Sequence, residues 1–187
     1  MSCEKIVKHY ISVDLTGENI ESLIGKPPVK YSDLKKYKNV KELLGKHGYA
    51  VILWQTDNED TGHWVALYER FDGVLTYADS YGLHWGQERR YAPYDAAEPH
   101  YLSKLIESSG MKTDWLKTDY QRKGSGIDTC GRWSCFFSLF GKRMTFPEIN
   151  RFLTSNQSSF LTPDAIVTIT TLWDLNEIRH FFDRENK

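Results

Sequence analysis

The dipeptide Asp72-Gly73 lies between two runs of strand-like sequence and restricts the fold more than any other feature of the chain. Asp-Gly is typical of the two-residue turn that joins antiparallel strands. The run before the turn begins at His63, and the run after it ends at Asp79. In an antiparallel pair the start of the first strand lies next to the end of the second. The sequence therefore predicts that an imidazole and a carboxylate lie side by side.

A second segment, which begins at Cys130, has the spacing of a helix that packs into the core. Its large apolar side chains recur at i, i+3, i+4 and i+7, at Trp133, Phe136, Phe137 and Phe140. The upstream residues 124–126 are a Gly-Ser-Gly loop, so Cys130 is predicted to begin the helix. Unpaired N–H groups and the helix dipole favour a thiolate there, and the thiolate is the nucleophilic form. The alternative is a structural cysteine that only begins a packed helix.

Composition limits the classes of function that the chain can serve. Its 187 residues suffice for one well-buried core, so we expect a single domain over residues 1–187. The formal net charge of −1 gives no reason to expect nucleic acid or an anionic membrane as an obligatory partner. The lysine-rich segment 26–46 is an exception, and it fits either a solvated helix face or a patch for a polyanion or a partner protein.

The three cysteines, Cys3, Cys130 and Cys135, are odd in number and do not form a disulfide framework. The cysteine and histidine spacings match no recognised set of zinc ligands. The sequence also lacks a phosphate-binding loop, a dinucleotide fingerprint and an apolar run long enough to span a membrane. We therefore predict no metal, no cofactor and no membrane association, in a protein made and used in a reducing compartment.

The rest of the chain indicates helices around a central sheet. The continuous apolar run Tyr49–Trp54 predicts a central strand, and a short strand is expected within residues 112–120. Residues 1–15 alternate weakly and favour an edge strand or an extended arm, whereas the β-branched stretch after Pro163 fits either type. Helices are predicted over residues 14–24, 31–45 (whole or broken), 98–109, 130–140, 146–153 and 172–182. This order predicts an α+β fold with a mixed, mostly antiparallel sheet.

Four short pieces of sequence, taken in order, resemble a known group of enzymes. They are His63-Trp64, Asp79, Gln121 and Cys130-Gly131. This order is similar to that of the adenovirus-protease and SUMO-protease group of cysteine proteases. The Cys-Gly-Arg-Trp continuation most resembles the maturation proteases of virophages, Maverick/Polinton elements and large DNA viruses. The resemblance covers about residues 49–140, which would form the catalytic core.

The resemblance implies a role for each matching residue. Cys130 would be the nucleophile, His63 the general base and Asp79 the group that orients His63. Gln121 would donate a hydrogen bond to the oxyanion. In that group the glutamine usually lies closer to the cysteine than the nine positions found here. Trp64 and Gly131, each next to one of these residues, are candidates for contact with the substrate.

The resemblance also implies a fold, a reaction and a setting. The fold would be a papain-like core in which the catalytic order is His-Asp-Gln-Cys. The reaction would be hydrolysis of peptide bonds in viral capsid or structural precursors, after Gly-Gly or Gly-X, during virion maturation. The protein would act in the host cytoplasm or viral factory and would be packaged in the virion. An activating peptide is left open, and DNA is not expected to be obligatory.

Two alternative functions follow from the same residues. An isopeptidase that acts on ubiquitin-like tails would use the same four side chains, although the Arg-Trp continuation argues against it. A member without catalytic activity would keep the fold as a peptide-binding scaffold, although all four catalytic residue types are present.

Several other polar residues compete for roles in the site. His84 also precedes a tryptophan, but no strand pattern follows it, and it is predicted to be a loop residue. Asp128 is expected to serve in a turn or cap, and Cys135 in the core. The acidic residues Asp57, Glu59 and Asp60 fit a solvated loop or a cleft that favours basic peptides.

Overall fold

Five β-strands form one sheet in the computed structural model, which describes residues 3–56, 60–90, 100–124, 126–158 and 161–172. The strands follow their order in the chain across the sheet. They are β1 (Val29–Lys30), β2 (Tyr49–Gln55), β3 (Gly62–Glu69), β4 (Leu75–Ala78) and β5 (Thr113–Trp115). The predicted central strand and the predicted hairpin are both confirmed, as β2 and as the β3–β4 pair.

Helices cover both faces of this sheet. The α-helices of the described residues are α1 (Cys3–Ile11), α2 (Gly17–Ile24), α3 (Val40–Leu44), α4 (Tyr101–Ser108), α5 (Cys130–Phe140), α6 (Phe146–Ser155) and α7 (Pro163–Thr171). Short 3-10 segments lie at Tyr31–Lys36, Gly45–His47 and Trp85–Arg90. None of the described helices is long and apolar enough to cross a membrane.

The core consists of two apolar layers, one on each face of the sheet. In one layer, side chains on one face of β2 and β3, such as Val51 and Tyr68, pack against α5, α6 and α7. The other joins the alternate side chains of the same strands, such as Ile52 and Leu67, to α3 and α4. Every residue of β2 is buried because both of its faces are covered, which explains its continuous apolar sequence.

The sheet is mixed, as predicted, and most of its paired residues are antiparallel. The central pairs, β2 with β3 and β3 with β4, are antiparallel. The pairs at both edges, β1 with β2 and β4 with β5, are parallel. Each edge strand is joined to its neighbour by a connection that contains a helix, α3 in one case and α4 in the other. A crossover of this kind produces a parallel pair, whereas a tight turn produces an antiparallel one.

The N-terminal prediction is wrong, because residues 3–11 form a helix rather than a strand or an arm. Ile6, Val7 and Tyr10 are buried at helical spacing, and α1 packs against α7. The stretch after Pro163 is also helical: proline begins α7, and the Thr162 side chain accepts a hydrogen bond from the backbone of Ala165. These local signals outweigh the β-branched composition.

The other predicted elements differ mainly in extent. The helix predicted over 31–45 is broken into two parts, a 3-10 segment and an α-helix, which are separated by Tyr37 to Asn39. The structure gives α4 the bounds Tyr101–Ser108, and β5 covers three of the residues predicted in 112–120. The helix predicted over 172–182 lies outside the described residues after Leu172.

Candidate active site

Two neighbouring strands carry the imidazole and the carboxylate that the sequence places together. His63 follows the first residue of β3, and Asp79 follows the last residue of β4. His63 Nε2 lies 2.9 Å from Asp79 Oδ1. Both residues are buried, with 8% and 1% of their surface exposed. The predicted adjacency of His63 and Asp79 is therefore confirmed.

Asp79 is itself held by the turn that follows β4. The backbone N–H of Tyr81 donates to Asp79 Oδ1 at 2.8 Å. The N–H of Gly82 donates to the Asp79 carbonyl at 2.8 Å, and Gly82 has a φ of +71° that favours glycine. The turn thereby fixes the carboxylate that faces His63.

Cys130 begins α5, as predicted, and its thiol is partly exposed. Its side chain lies near enough to His63 to help raise the pKa of the imidazole. Cys135 differs sharply: it is buried, and burial raises the pKa of its thiol to about 12. Cys135 is therefore a core residue, and the side chain of Cys3 lies outside the described residues.

The electrostatics of the site favour a charged imidazole. Burial is the largest influence on His63 and by itself would lower its pKa. Hydrogen bonds to Asp79 and Cys130, and the negative charges of those two groups, outweigh it and raise the pKa to about 9. These contacts therefore favour the protonated form of the His63 imidazole at neutral pH.

Tyr81 is a part of the site that the sequence analysis did not assign. Its ring stacks on the His63 ring, with centroids 4.9 Å apart and planes 22° apart. Burial, followed by the charges of Cys130 and Asp79, raises the pKa of Tyr81 to about 12. Its hydroxyl therefore stays protonated close to the thiol. The signal in the sequence was its position two residues after the predicted acid.

Gln121 is buried and joins the other predicted residues through Tyr81. Its Nε2 donates to the Tyr81 hydroxyl at 3.1 Å, and its Oε1 accepts from Ser80 Oγ at 2.7 Å. The backbone N–H of Gln121 also donates to the Ser80 carbonyl, at 3.1 Å. An amide nitrogen carries two protons, and the hydrogen bond to Tyr81 uses one of the two on Nε2. The structure thus fixes the orientation of the amide.

The two residues predicted to contact the substrate have different surroundings. Trp64 lines the cleft beside Cys130, and its Nε1 donates to the Leu15 carbonyl at 3.2 Å. Gly131 is a packing position, because a Cβ there would lie 3.0 Å from the Leu15 side chain and 3.3 Å from Trp64. Glycine at 131 lets Leu15 and Trp64 pack closely against the start of α5.

A cleft of about 720 Å³ extends away from Cys130. Its lining includes Leu15, Gly62 and Trp64 together with Cys130. Most of the charged side chains in the lining are acidic: Asp14, Glu18, Glu21 and Asp60. Lys30 also lies there and pairs with Asp60 at 2.9 Å. Burial, followed by the charge of Asp128, raises the pKa of Asp14.

The competing residues lie elsewhere or act differently. His84 is a loop residue, as predicted, and packs on Trp85 and Trp115 with ring centroids 3.8 and 4.6 Å away. Asp128 does not cap α5, because the N-cap residue is Thr129. Asp57 and Glu59 lie outside the described residues. In the described part of the chain, no group of three or more His, Cys, Asp or Glu side chains could hold a metal ion.

Comparison with known proteins gives a relative of similar length. No protein-family profile matches the chain. The chain is 29% identical to the uncharacterized protein V9 of Sputnik virophage over 176 residues, which cover 90% of this chain and 99% of V9. A solved structure, the central domain of the uncharacterized Lpg1148 protein from Legionella pneumophila, is similar with a TM-score of 0.39 and 15% identity, over 92% of this chain and 95% of that domain. The chain is thus similar to a virophage protein along most of its length.

Proposed function

We propose that the protein is a cysteine endopeptidase with Cys130 as its nucleophile. The observation that carries this proposal is the buried hydrogen bond between His63 and Asp79, beside a cysteine that raises the pKa of the same imidazole. A partly exposed thiol at a helix start, paired with a buried and oriented imidazole, is the arrangement that nucleophilic thiol catalysis needs. The order of these residues in the chain corresponds to a papain-like core with the cysteine last.

In the proposed reaction the Cys130 thiolate attacks the carbonyl carbon of the substrate peptide bond. The His63 imidazolium donates its proton to the departing amine, and the C–N bond breaks to leave a thioester on Cys130. Water then attacks the thioester while His63 takes up one of its protons. The carboxylic acid product leaves, and the thiolate–imidazolium pair is restored. Asp79 stays ionised throughout and holds the ring in position.

Two donors would stabilise the oxyanion that forms in both steps. One is the backbone N–H of Cys130 at the start of α5, and the other is the second amide proton of Gln121. Donors at a fixed position act best because they need no reorganisation when charge develops. The hydrogen bonds of Gln121 to Ser80 and Tyr81 support this role, since they leave its amide a single orientation.

We propose that the substrates are viral capsid or structural precursors, cut after small residues of the Gly-Gly or Gly-X type during virion maturation. Trp64 and Leu15 in the wall beside Cys130 support a preference for residues without large side chains. The similarity to a virophage protein supports a viral setting, which would be the viral factory and the virion. Neither DNA nor a metal ion has a part in the proposed reaction.

The test is cleavage of a precursor by purified protein. Recombinant capsid precursor from the same virus would be incubated with the wild type and with Cys130→Ser, and the new termini would be sequenced. A SUMO conjugate and a ubiquitin conjugate would be incubated in parallel. We expect cleavage of the precursor after Gly-Gly or Gly-X by the wild type alone. Cleavage of the conjugates instead would assign an isopeptidase, and cleavage of none of the three would favour a binding scaffold.

A further inference from the structure

Asp164 is a buried carboxylate far along the sequence from the residues proposed to react. It lies in the first turn of α7, and 1% of its surface is exposed. Oδ1 accepts hydrogen bonds from Thr129 Oγ1 at 2.6 Å and from Trp133 Nε1 at 2.9 Å. Oδ2 accepts from the backbone N–H of Arg122 at 3.1 Å. Both oxygens of the carboxylate are therefore engaged.

Two of the three donors lie at the two ends of one loop, and the third lies in the helix that follows. Arg122 directly follows Gln121, and Thr129 directly precedes Cys130. Trp133 lies one turn into α5, where its ring stacks on Tyr120 with centroids 5.4 Å apart. A single carboxylate thus connects the residue after the proposed oxyanion donor to the residue before the proposed nucleophile.

The loop between these ends contains glycine residues. These are Gly124 and Gly126, and Gly126 has a φ of +79°. Glycines give a chain conformational freedom that regular structure or side chains must offset. Gln121 precedes Cys130 by nine positions, a longer separation than is usual in the enzymes that the sequence resembles. A longer loop increases the need for a contact that joins its ends.

We propose that Asp164 is a positioning residue that sets Gln121 and Cys130 in the relative positions needed for catalysis. This inference rests on the proposed cysteine protease activity. Hydrogen bonds to an ionised acceptor are stronger than those between neutral groups. The N-terminus of α7 also favours a negative charge in its first turn. A carboxylate with three donors at this site therefore links the residue after Gln121 to the residue before Cys130.

The alternative is that Asp164 only stabilises the fold. If the role is only structural, substitution of Asp164 lowers the unfolding temperature and leaves the rate constant of the folded protein unchanged. A positioning role would reduce the rate constant of the folded protein with little change in substrate affinity. An error of about 1 Å in the position of a reacting group can reduce a rate by roughly a hundredfold.

The test uses Asp164→Asn, which keeps the size of the side chain but turns an N–H group toward at least one of the three donors. The probe is a peptide vinyl sulfone ending in Gly-Gly, with inactivation followed at a temperature where the protein is folded. We expect kinact to fall by about tenfold to a hundredfold, while KI stays within about twofold of the wild type. Trp133→Phe removes one donor and retains the ring, so it should lower kinact in the same direction by a smaller factor.

The matched control is Tyr49→Phe, which removes a different buried hydrogen bond, from the Tyr49 hydroxyl to the Ile24 carbonyl. Tyr49 begins β2, whereas the partner of His63 in the sheet lies at the other end of that strand. This variant should lose thermal stability and keep the wild-type kinact.

Each outcome decides one of the two proposals. Unchanged kinact in Asp164→Asn, with a wild type that reacts rapidly at Cys130, would overturn the positioning role alone. If Asp164→Asn does not fold, unchanged kinact in Trp133→Phe would overturn it in the same way. In the wild type, labelling by the vinyl sulfone and by iodoacetamide would be compared at Cys130 and Cys135. If neither reagent labels Cys130 faster than Cys135, the proposed activity and this inference are both overturned.

Discussion

The two halves of the candidate active site are held in place by different means. His63 lies in β3 and Asp79 directly follows β4, so the pairing of these two strands brings the two residues together. Gln121 and Cys130 lie at the ends of a glycine-containing loop, and side chains hold them: Ser80 and Tyr81 on one side, and Asp164 between the two. The acid–base half is thus built into the sheet, whereas the nucleophile and oxyanion half depends on individual side-chain contacts.

This difference has a consequence for substitutions. In the half that the sheet supports, a substitution should change the chemistry of one group and leave the geometry intact. In the half that the loop carries, removal of a supporting side chain should displace groups that are themselves unchanged. Substitutions in the sheet half should therefore alter one group, whereas substitutions in the loop half should also alter the positions of neighbouring groups.

The largest effect is expected for His63→Ala, which removes the proposed base from the sheet. A positioned acid–base group typically contributes about 10²- to 10⁴-fold to a rate. Peptide hydrolysis should fall by that factor, measured with a fluorogenic Gly-Gly peptide. The control is His84→Ala, which changes the histidine of the other His-Trp pair and should stay within about twofold of the wild type. Equal losses in the two variants would contradict the assignment of His63.

A slightly smaller effect is expected in the other half, for Gln121→Ala. Loss of one oxyanion donor typically lowers kcat by about 10²- to 10³-fold. Ser80→Ala keeps the amide and removes the hydroxyl that orients it, so its loss should be smaller, about tenfold. Both would be measured as kcat with the same peptide. Wild-type kcat in Gln121→Ala would show that other groups stabilise the oxyanion.

Asp79→Asn tests how the sheet half sets the charge of His63. The hydrogen bond and charge of Asp79 raise the pKa of His63, so loss of the charge lowers it. Hydrolysis needs the imidazolium, so wild-type activity should decline as the pH rises through about 9. In the variant this decline should begin about one to three pH units lower. The pH profile of kcat/KM gives this directly, and an unshifted alkaline limb would contradict the pairing.

The smallest effect is expected in the cleft, whose charged side chains are mostly exposed. Its acidic lining should favour a peptide with lysine over the same peptide with glutamate by about two- to fivefold in kcat/KM. The preference should weaken in high salt, because salt screens exposed charges. Glu18→Gln together with Glu21→Gln should reduce it, with kcat for a neutral peptide as the control. A preference for the glutamate peptide would contradict this view of the cleft.

The sheet half could be predicted from the sequence because its signals are local. The Asp72-Gly73 turn and the alternating strands fix the register that brings His63 to Asp79. The helical spacing after Cys130 likewise predicts the start and end of α5. Both features depend on the turn, strand and helix propensities of residues that are close in the sequence.

The loop half could be predicted only in part, because its contacts join residues that are distant in the sequence. Asp164 lies 42 positions after Arg122, and no spacing rule connects the two. Tyr81 reaches Gln121 over 40 positions. The N-terminal helix was missed for a similar reason, since its apolar face is defined by α7, on which it packs. Parallel edge strands also depend on crossovers whose path the local sequence does not specify.

The most direct test of the central claim is the rate at which Cys130 is labelled. The wild type, His63→Ala and Asp79→Asn would be treated with the Gly-Gly vinyl sulfone, and the labelled cysteine would be mapped by mass spectrometry. We predict rapid labelling confined to Cys130 in the wild type, slowed by about 10²-fold or more in His63→Ala. Labelling of Cys130 no faster than that of Cys3, and unaffected by His63→Ala, would contradict an activated nucleophile.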